Sequence, residues 1–391
     1  MYNPSLVLKK MPLIAGAVLL GCIPSFGQGV VHLANGTTVK VTVKLNRPIR
    51  LGPKQAARSA STADPTGLPF YTANYISLGS KRLPFNILGT DPSLGASTTT
   101  IPTVIVPLKF SFPNPGNPTL DGTNVVTATE NSPIFLTADY TTGGTDLGVT
   151  QFGDAVLRGE FWNHPGFSQS GYHVLLGAPT IAPTVTVTVP AGMGNAFELQ
   201  GGGLMGVVDN SFFDLVLNAL LPSYTANELL IFLTDNVFLA PQGQLQFCCV
   251  LGFHDSQGPP IASAQTWIYS AYTKPGTFFE NVIVDVQTLS HEISEWLNDP
   301  FGGTPFFGGI NLVAPYVLPN TGGLCQINFE TGDVLENPPV AFTQVTNGTT
   351  YHLQDEAFLP YFLHTSPSFS VNGWYSLIGT FQTFSSLCSP G

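Results

Sequence analysis

Charged side chains are scarce in this chain of 391 residues. Asp, Glu, Lys and Arg together make up 9% of the residues, whereas about a quarter is usual for a soluble protein. Lys and Arg number 13 against 24 Asp and Glu, which gives a net charge of -11. Binding along a nucleic-acid backbone relies on many Lys and Arg that neutralise phosphates. The composition therefore argues against a nucleic-acid partner, and it makes any local cluster of charge informative.

Long apolar runs are also rare. Lys9 and Lys10 precede an apolar run of about ten residues and then small residues with a Pro, which is the layout of a secretory signal. No later stretch offers about 18 apolar residues without a break, so no transmembrane segment is predicted in the mature chain. We predict a signal peptide over residues 1–29 and a secreted or extracytoplasmic protein. Leu19-Leu20-Gly21-Cys22 also resembles a bacterial lipobox, so Cys22 is either a lipid anchor, for the periplasm or cell surface, or part of the removed segment.

Cysteines number only five, and four of them, Cys248, Cys249, Cys325 and Cys388, remain once the signal is removed. An even number in an oxidising compartment predicts disulfide bonds. Because adjacent cysteines reach disulfide geometry only with strain, we expect Cys248 and Cys249 each to pair with Cys325 or Cys388. A thiolate metal site is disfavoured because the Cys-x-x-Cys spacing is missing.

Short β-branched or aromatic runs separated by Gly, Pro, Asn and Asp dominate the chain and predict an α+β, strand-rich fold. Residues 31–46 alternate in polarity like a strand or two, and residues 47–66 are basic and small, like a linker or a propiece joint. The predicted domains are therefore a short β segment with a linker (30–66) and one large domain (67–391). Further strands are predicted at 101–112, 172–176, 184–189, 229–238, 244–253 and 265–272, and helices at 210–220 and 286–298.

The second helix carries the sequence His291-Glu292-Ile293-Ser294-Glu295. Its apolar residues share one face and predict packing on a sheet, and Pro300 ends it. His291 and Glu295 are four residues apart on the opposite face, the spacing at which two ligands share one cation. Two of the ten glutamates of the chain lie within this turn and a half. The alternative is a solvated polar helix face.

A zinc site needs a third protein ligand and an open position for water. The downstream acids Glu330 and Asp333 are the best candidates, and the sequence leaves the choice between them open. Asp299 opposes the helix dipole, which suggests either a partner such as a ring N–H or a cation, or a plain Asp-Pro turn. His254 and His352 are the remaining histidines to weigh, and each is more often structural than a ligand.

The segment from Leu289 to Pro300 resembles the active-site helix of secreted bacterial zincin-like proteins that carry His-Glu-x-x-Glu followed by Asp-Pro. Further short segments similar to these proteins are spread over most of residues 68–391. The resemblance implies a zincin-like domain in which a mixed sheet, with strands near 246–254 and 265–273, lies over the active-site helix, with additional β structure. It also implies that His291 and Glu295 bind the metal, that Glu292 is the general base and that Glu330 is the third ligand.

The leading hypothesis from the sequence is a secreted metal-dependent hydrolase, a zinc metallopeptidase acting on polypeptide substrates, in which Glu292 takes a proton from metal-activated water. Another divalent cation is an alternative to zinc, because Glu295 replaces the second His of the zincin pattern and weakens zinc selectivity. The alternatives from other classes are a non-catalytic zincin-like scaffold and a β-rich extracellular binding protein.

Overall fold

The computed structural model describes residues 27–43, 67–77, 82–258, 263–278, 283–302, 311–321, 323–336 and 339–389. The strands in these ranges are β1 (Gly27–His32), β2 (Thr38–Val43), β3 (Phe70–Ile76), β4 (Arg82–Leu88), β5 (Ser97–Ile101), β6 (Thr103–Ser111), β7 (Thr119–Asp121), β8 (Ala138–Thr142), β9 (Thr145–Thr150), β10 (Tyr172–Leu176), β11 (Thr180–Ile181), β12 (Val185–Thr188), β13 (Gly194–Glu198), β14 (Leu204–Asp209), β15 (Leu229–Asp235), β16 (Val237–Ala240), β17 (Gly252–Gln257), β18 (Gln265–Tyr272), β19 (Leu312–Val317), β20 (Cys325–Asn328), β21 (Ala341–Thr346) and β22 (Thr349–Gln354). The helices are α1 (Thr123–Glu130), α2 (Phe152–Glu160), α3 (Asn210–Leu220), α4 (Gln287–Asn298) and α5 (Leu359–Leu363). The strand-rich α+β class predicted from the sequence is confirmed.

A central sheet positions everything else, with strand order β11-β6-β15-β18-β17, and β12 and β7 also pair with β6. Strands β6, β15 and β18 run parallel, whereas β17 is antiparallel to β18. Side chains alternate between the two faces, as the twofold period of a strand requires. Ile105, Ile231 and Ile268 lie in a hydrophobic core on one face, which we call the first core. Phe232 and Tyr269 lie in a core on the other face, which we call the second core. Both faces are therefore covered, which explains the nearly continuous apolar runs in β6 and β15.

The two predicted helices form close to their expected bounds, and they lie on opposite faces of the central sheet. Helix α3 contributes Phe213 and Leu217 to the second core. Helix α4 contributes its predicted apolar face, Val286, Leu289, Ile293, Trp296 and Leu297, to the first core. Trp296 Nε1 also donates to Thr266 Oγ1 on β18 at 2.9 Å. The prediction that α4 packs on the sheet is confirmed.

The predicted strands are partly corrected by breaks in the chain. Strands β10 and β18 match their predicted ranges. The stretch 229–238 divides into two strands at Asn236, whose φ of 58° interrupts extended backbone. Most of the strand predicted at 244–253 is wrong, because a short helical turn at Leu245–Phe247 precedes β17.

Strands β1 and β2 form an N-terminal hairpin. Strand β2 confirms a strand within the predicted range 31–46, whereas β1 lies mostly before it. Val31, Val41 and Val43 enter the second core, so the hairpin packs on the large domain. The described chain begins at Gly27, and residues 27–29 of the predicted signal segment pair with β2. Cys22 and the predicted linker at 47–66 lie outside the described residues. None of the described helices is long and apolar enough to span a membrane.

The disulfide pairing predicted from the sequence is wrong. Cys248 bonds to its neighbour Cys249, and Cys325 bonds to Cys388. Cys248 and Cys249 are buried in the second core, where Thr42 of β2 holds their backbone. Cys325 lies on β20, which pairs with β19, and the β19 side chains Val313 and Tyr316 pack in the first core. The central sheet separates the two pairs, so cross-pairing is excluded.

Candidate metal centre

Helix α4 is buried along its whole length, on its polar face as well as its apolar face. His291, Glu292 and Glu295 are each 0% exposed. The alternative of a solvated polar helix face is therefore wrong. A helix face of this composition that is removed from water requires partners for its ionisable groups.

Local contacts fix the orientation of the polar face of α4. Ser290 Oγ donates to the Gln287 carbonyl oxygen and accepts from the backbone N–H of Gln354, at the end of β22. At the other end, Asn311 N–H donates to both carboxylate oxygens of Asp299, at 3.1 and 3.2 Å. The helix is thus held at both ends by segments that are distant in the chain.

His291 and Glu295 face each other, with 3.2 Å between His291 Nε2 and Glu295 Oε2. Asp333 Oδ1 lies 3.9 Å from the same nitrogen. Glu295 Oε1 accepts the backbone N–H groups of Gly332 and Asp333, both at 3.2 Å. A Cβ at Gly332 would lie 2.3 Å from His291 Nδ1, so this position excludes any side chain. The loop around Gly332 is therefore packed directly on the ring of His291.

His254 extends from β17 toward the polar face of α4. We refer to His254, His291, Glu292, Glu295, Glu330 and Asp333 together as the centre. Its Nε2 lies 3.1 Å from the Asp299 carbonyl oxygen, which can only accept, so the ring proton is placed on Nε2. The lone pair of Nδ1 then faces Glu292 Oε2 at 3.5 Å and Glu295 Oε2 at 3.6 Å. Glu330 Oε2 lies 3.8 Å from Nε2 of the same ring. A carbonyl that fixes the tautomer in this way is typical of the surroundings of metal-binding histidines.

Glu292 lies between α4 and β17. A Cβ at Gly252 of β17 would be 2.8 Å from Glu292 Oε1, so the strand approaches this side chain closely. Neither carboxylate oxygen of Glu292 has a hydrogen-bond partner among the described residues. The same holds for His254 Nδ1, for both ring nitrogens of His291 and for Glu330 Oε2. Buried polar atoms are almost always paired in native proteins, so this group of unpaired atoms is a candidate binding site for a ligand.

Carboxylic acids dominate the surroundings of α4, and burial is the largest cause of the shifts in their pKa values. We define the acid cluster as the buried carboxylic acids that interact around α4, namely Glu292, Glu295, Asp299, Glu330, Asp333, Glu336 and Glu356. Burial raises the pKa of Glu292, Glu295 and Glu330 well above the usual range, and neighbouring carboxylates add to the rise.

The histidines of the centre are neutral, which is the form that binds metal. Burial lowers the pKa of His291 to about 4, with Asp333 and Gln354 opposing part of the shift. Burial lowers the pKa of His254 to about 3, and the nearby His291 adds to this shift.

Two sets of three residues bring potential ligand atoms within 4.8 Å of one another in the described part of the chain: His254 with Glu295 and Glu330, and His291 with Glu295 and Asp333. The structure thus places Glu330, the third ligand expected from the sequence, beside His254, and it places Asp333 beside His291. Neutral imidazoles and carboxylates, with buried atoms that lack partners, fit a divalent cation. The ligand assignment itself stays a prediction.

The other residues singled out in the sequence divide clearly. His352 lies outside the centre, where its Nδ1 contacts Asp285 Oδ2 at 2.6 Å. Asp299 has the expected ring N–H contact, but through its backbone carbonyl rather than its carboxylate. His254, which is only a secondary candidate in the sequence, belongs to the centre. Its position is recoverable from the alternation of β17, since Phe253 faces the second core and His254 therefore faces α4.

Comparisons with protein-family models, with curated proteins and with solved structures find no match to this chain.

Proposed function

We propose that this protein is a secreted metal-dependent hydrolase, a zinc metallopeptidase that cleaves polypeptides. The observation that carries the proposal is the convergence, on one buried helix, of a neutral His291, a carboxylate ligand four residues later and a Glu292 whose two oxygens lack hydrogen-bond partners. Buried atoms of this chemistry are costly without partners, and a divalent cation would supply a partner for several of them.

The residues of the chain suit the parts that such a reaction requires. A bound zinc ion would polarise the scissile carbonyl and lower the pKa of a water molecule. Glu292 accepts the proton of the attacking water on a carboxylate oxygen and returns it to the leaving amine. Burial and neighbouring carboxylates raise the pKa of Glu292, so its carboxylate is a stronger base than that of a free glutamate. His254 does not donate a hydrogen bond to Glu292, because its ring proton on Nε2 is directed to the Asp299 carbonyl oxygen. The Glu292 oxygen beside His254 therefore stays available to accept a proton from water.

The arrangement of elements supports a zincin-like fold for this domain. Helix α4 packs beneath β17 and β18, in the order along the chain that the resemblance implies. Strand β17 stands at the end of the central sheet and is antiparallel to β18, the place that the resemblance gives to the substrate-binding strand. The N-terminal segment and two disulfide bonds support export to an oxidising compartment.

One observation favours a second candidate, a non-catalytic scaffold that is stabilised by its metal. Glu292, His291 and Glu295 are fully buried, as the ligands of structural metal sites are, whereas a catalytic site keeps one position open to water and substrate. In this candidate Glu292 shares the charge of the centre and transfers no proton.

The test combines metal content with hydrolysis of an unfolded protein such as reduced casein. We expect the purified protein to contain zinc and to cleave the substrate. Glu292→Gln should keep the metal and lower cleavage at least about 100-fold, the lower bound for loss of a general base. The matched control is Glu198→Gln, an exposed glutamate on β13, which should change neither property.

The outcomes separate the two candidates. Metal that is retained without any cleavage, in the wild type as in Glu292→Gln, would support the scaffold. A protein that contains no metal, and whose thermal stability does not respond to added zinc, would contradict both.

A further inference from the structure

Glu295 lies between two imidazole rings. Its Oε2 is 3.2 Å from His291 Nε2 and 3.6 Å from His254 Nδ1. The described residues contain no set of ligand atoms within 4.8 Å of one another that includes both histidines. The two rings therefore approach the same oxygen from different sides, and each has its own acid, Asp333 for His291 and Glu330 for His254.

These separations match pairs of ligands that share a cation. Ligand atoms about 2.1 Å from a tetrahedral zinc ion lie about 3.4 Å from each other. The distances from Glu295 Oε2 to His291 Nε2 and to His254 Nδ1 are close to this value, one on each side. Both imidazole nitrogens lack a hydrogen-bond partner among the described residues, and both rings are buried. Each side of the Glu295 carboxylate thus presents an unpaired buried nitrogen where a ligand is expected.

The number of acids buried around α4 also exceeds the three ligands of a single cation. Seven buried carboxylic acids form the acid cluster, and the described Lys and Arg side chains lie elsewhere. Lys109 pairs with Asp121, Lys274 pairs with Asp235, and Arg158 lies beside Asp154, while the other two are exposed. Isolated ionised carboxylates are very costly to bury.

The chemistry of the carboxylate explains why a glutamate stands at position 295. An imidazole nitrogen has one lone pair and binds one metal, whereas a carboxylate oxygen has lone pairs for two. Glu295 Oε1 is held by the N–H groups of Gly332 and Asp333, which fixes the plane of the carboxylate and leaves Oε2 at the midpoint of the centre.

We propose that this centre holds two divalent cations bridged by Glu295, one bound also by His254 and Glu330 and the other bound also by His291 and Asp333. This inference rests on the proposed function, because it concerns the same metal site. Metal pairs in hydrolases lie about 3.5 to 4 Å apart, a spacing that a single bridging carboxylate provides. Glu292 Oε2 is 3.5 Å from His254 Nδ1, so the proposed base belongs to the cation on the His254 side. The cation on the His291 side is enclosed by the loop at Gly332.

The experiment measures the metal stoichiometry of the full-length purified protein after it is saturated with zinc and passed through a desalting column. Two zinc ions per chain are expected. One ion per chain would overturn the second site and leave the proposed function intact, whereas none would overturn both. The measurement needs no variant, so it does not depend on the folding of one.

Loading with manganese provides a second measurement on the unaltered protein. Two bridged Mn²⁺ ions are coupled magnetically, so the electron paramagnetic resonance spectrum of the saturated protein should differ from the six-line spectrum of an isolated ion. A six-line spectrum that grows in proportion to bound manganese up to saturation would contradict the bridge.

Substitutions assign the ligands. His254→Ala and His291→Ala should each bind one zinc ion fewer than the wild type, and Glu295→His should reduce the stoichiometry from two to one because imidazole does not bridge. His352→Ala is the matched control, since this histidine pairs with Asp285 outside the centre, and it should keep both ions. Two ions retained in His254→Ala or in His291→Ala would overturn the assignment.

Discussion

Helices α2 and α4 pack against each other and both are buried along their whole length, yet Asp154 on α2 and Glu292 on α4 differ in the hydrogen bonds of their carboxylates. On α2, every carboxylate oxygen of Asp154 accepts a hydrogen bond. Thr150 Oγ1 and His173 Nδ1 donate to Oδ2, the latter at 2.7 Å, and Val174 N–H donates to Oδ1 at 2.8 Å. On α4, both oxygens of Glu292 and both nitrogens of His291 lack hydrogen-bond partners among the described residues.

A polar side chain that is buried to stabilise the fold differs in its hydrogen bonds from one that is buried to bind a ligand. A buried carboxylate with its acceptors filled is complete in the folded protein, and it holds its neighbours in place. A cluster of buried groups whose atoms lack partners gains stability when a ligand is bound. Asp154 of α2 thus holds β10 in position, while the proposed role of the polar face of α4 is to bind a cation.

Helices α2 and α4 are in direct contact at Gly153. A Cβ at Gly153 of α2 would lie 2.6 Å from Leu297 Cδ1 and 3.2 Å from Ile293 Cγ2, both on the apolar face of α4. Both helices therefore share one core and one degree of burial. The difference between Asp154 and Glu292 lies in the partners of their carboxylate oxygens and not in their exposure.

Metal removal should produce the largest effect, and it should act through the metal centre on α4 and not through α2. At free metal about a thousand times Kd, a bound ion adds about 4 kcal/mol to the free energy of unfolding. We therefore expect a strong chelator to lower the denaturation midpoint of the wild type and added zinc to restore it. Glu295→Ala should unfold at the same denaturant concentration with and without chelator. A wild-type midpoint that ignores the chelator would remove the distinction between the helices.

Asp154→Ala should have the next largest effect, and it should leave the metal content unchanged. The substitution removes the acceptor of three hydrogen bonds and leaves the buried N–H of Val174 without a partner. We expect a loss of about 3 kcal/mol in the free energy of unfolding, measured by denaturant titration. Metal analysis of the folded variant is the control. A loss of metal in this variant would show that α2 also serves the centre, and the comparison would fail.

The fold was predictable where local pattern decides it. The bounds of α3 and α4 follow from helical periodicity, and β10 and β18 follow from short β-branched runs between turn residues. The break at Asn236 was missed because a left-handed residue within an apolar run leaves no periodic signal. The disulfides were mispaired because the sequence does not reveal which side of the central sheet each cysteine occupies.

The centre was predictable in part for the same reason. His291, Glu292 and Glu295 lie on one helix, so their spacing places them together. His254, Glu330 and Asp333 come from a strand and a loop, and only tertiary packing brings them to α4. Spacing also failed to reveal the burial of the polar face, because amphipathic helices usually expose it. The covering loop at Gly332, fitted to the ring of His291, reverses that expectation.

At pH 5, near the acid end of its titration, Glu160→Gln should have the smallest effect of the three, and its pH dependence tests the α2 side of the comparison. Leu359 N–H donates to Glu160 Oε1 at 2.9 Å, and burial raises the pKa of Glu160 from 4.5 to about 8. Because the native state then holds a proton that the unfolded state releases, Glu160 favours folding at low pH and this contribution is lost as pH rises from about 4.5 to 8.

One retained proton corresponds to about 1.4 kcal/mol per pH unit in this window. The free energy of unfolding of the wild type should therefore fall more steeply with pH than that of Glu160→Gln, by about this slope, since glutamine keeps the acceptor for Leu359 and does not titrate. Denaturant titrations at pH 5, 6 and 7 measure the difference, and Glu198→Gln on the exposed side of β13 should follow the wild type. Parallel pH profiles for the wild type and Glu160→Gln would mean that Glu160 is ionised in the folded protein. Helix α2 would then carry a buried charge whose second oxygen lacks a partner, as α4 does.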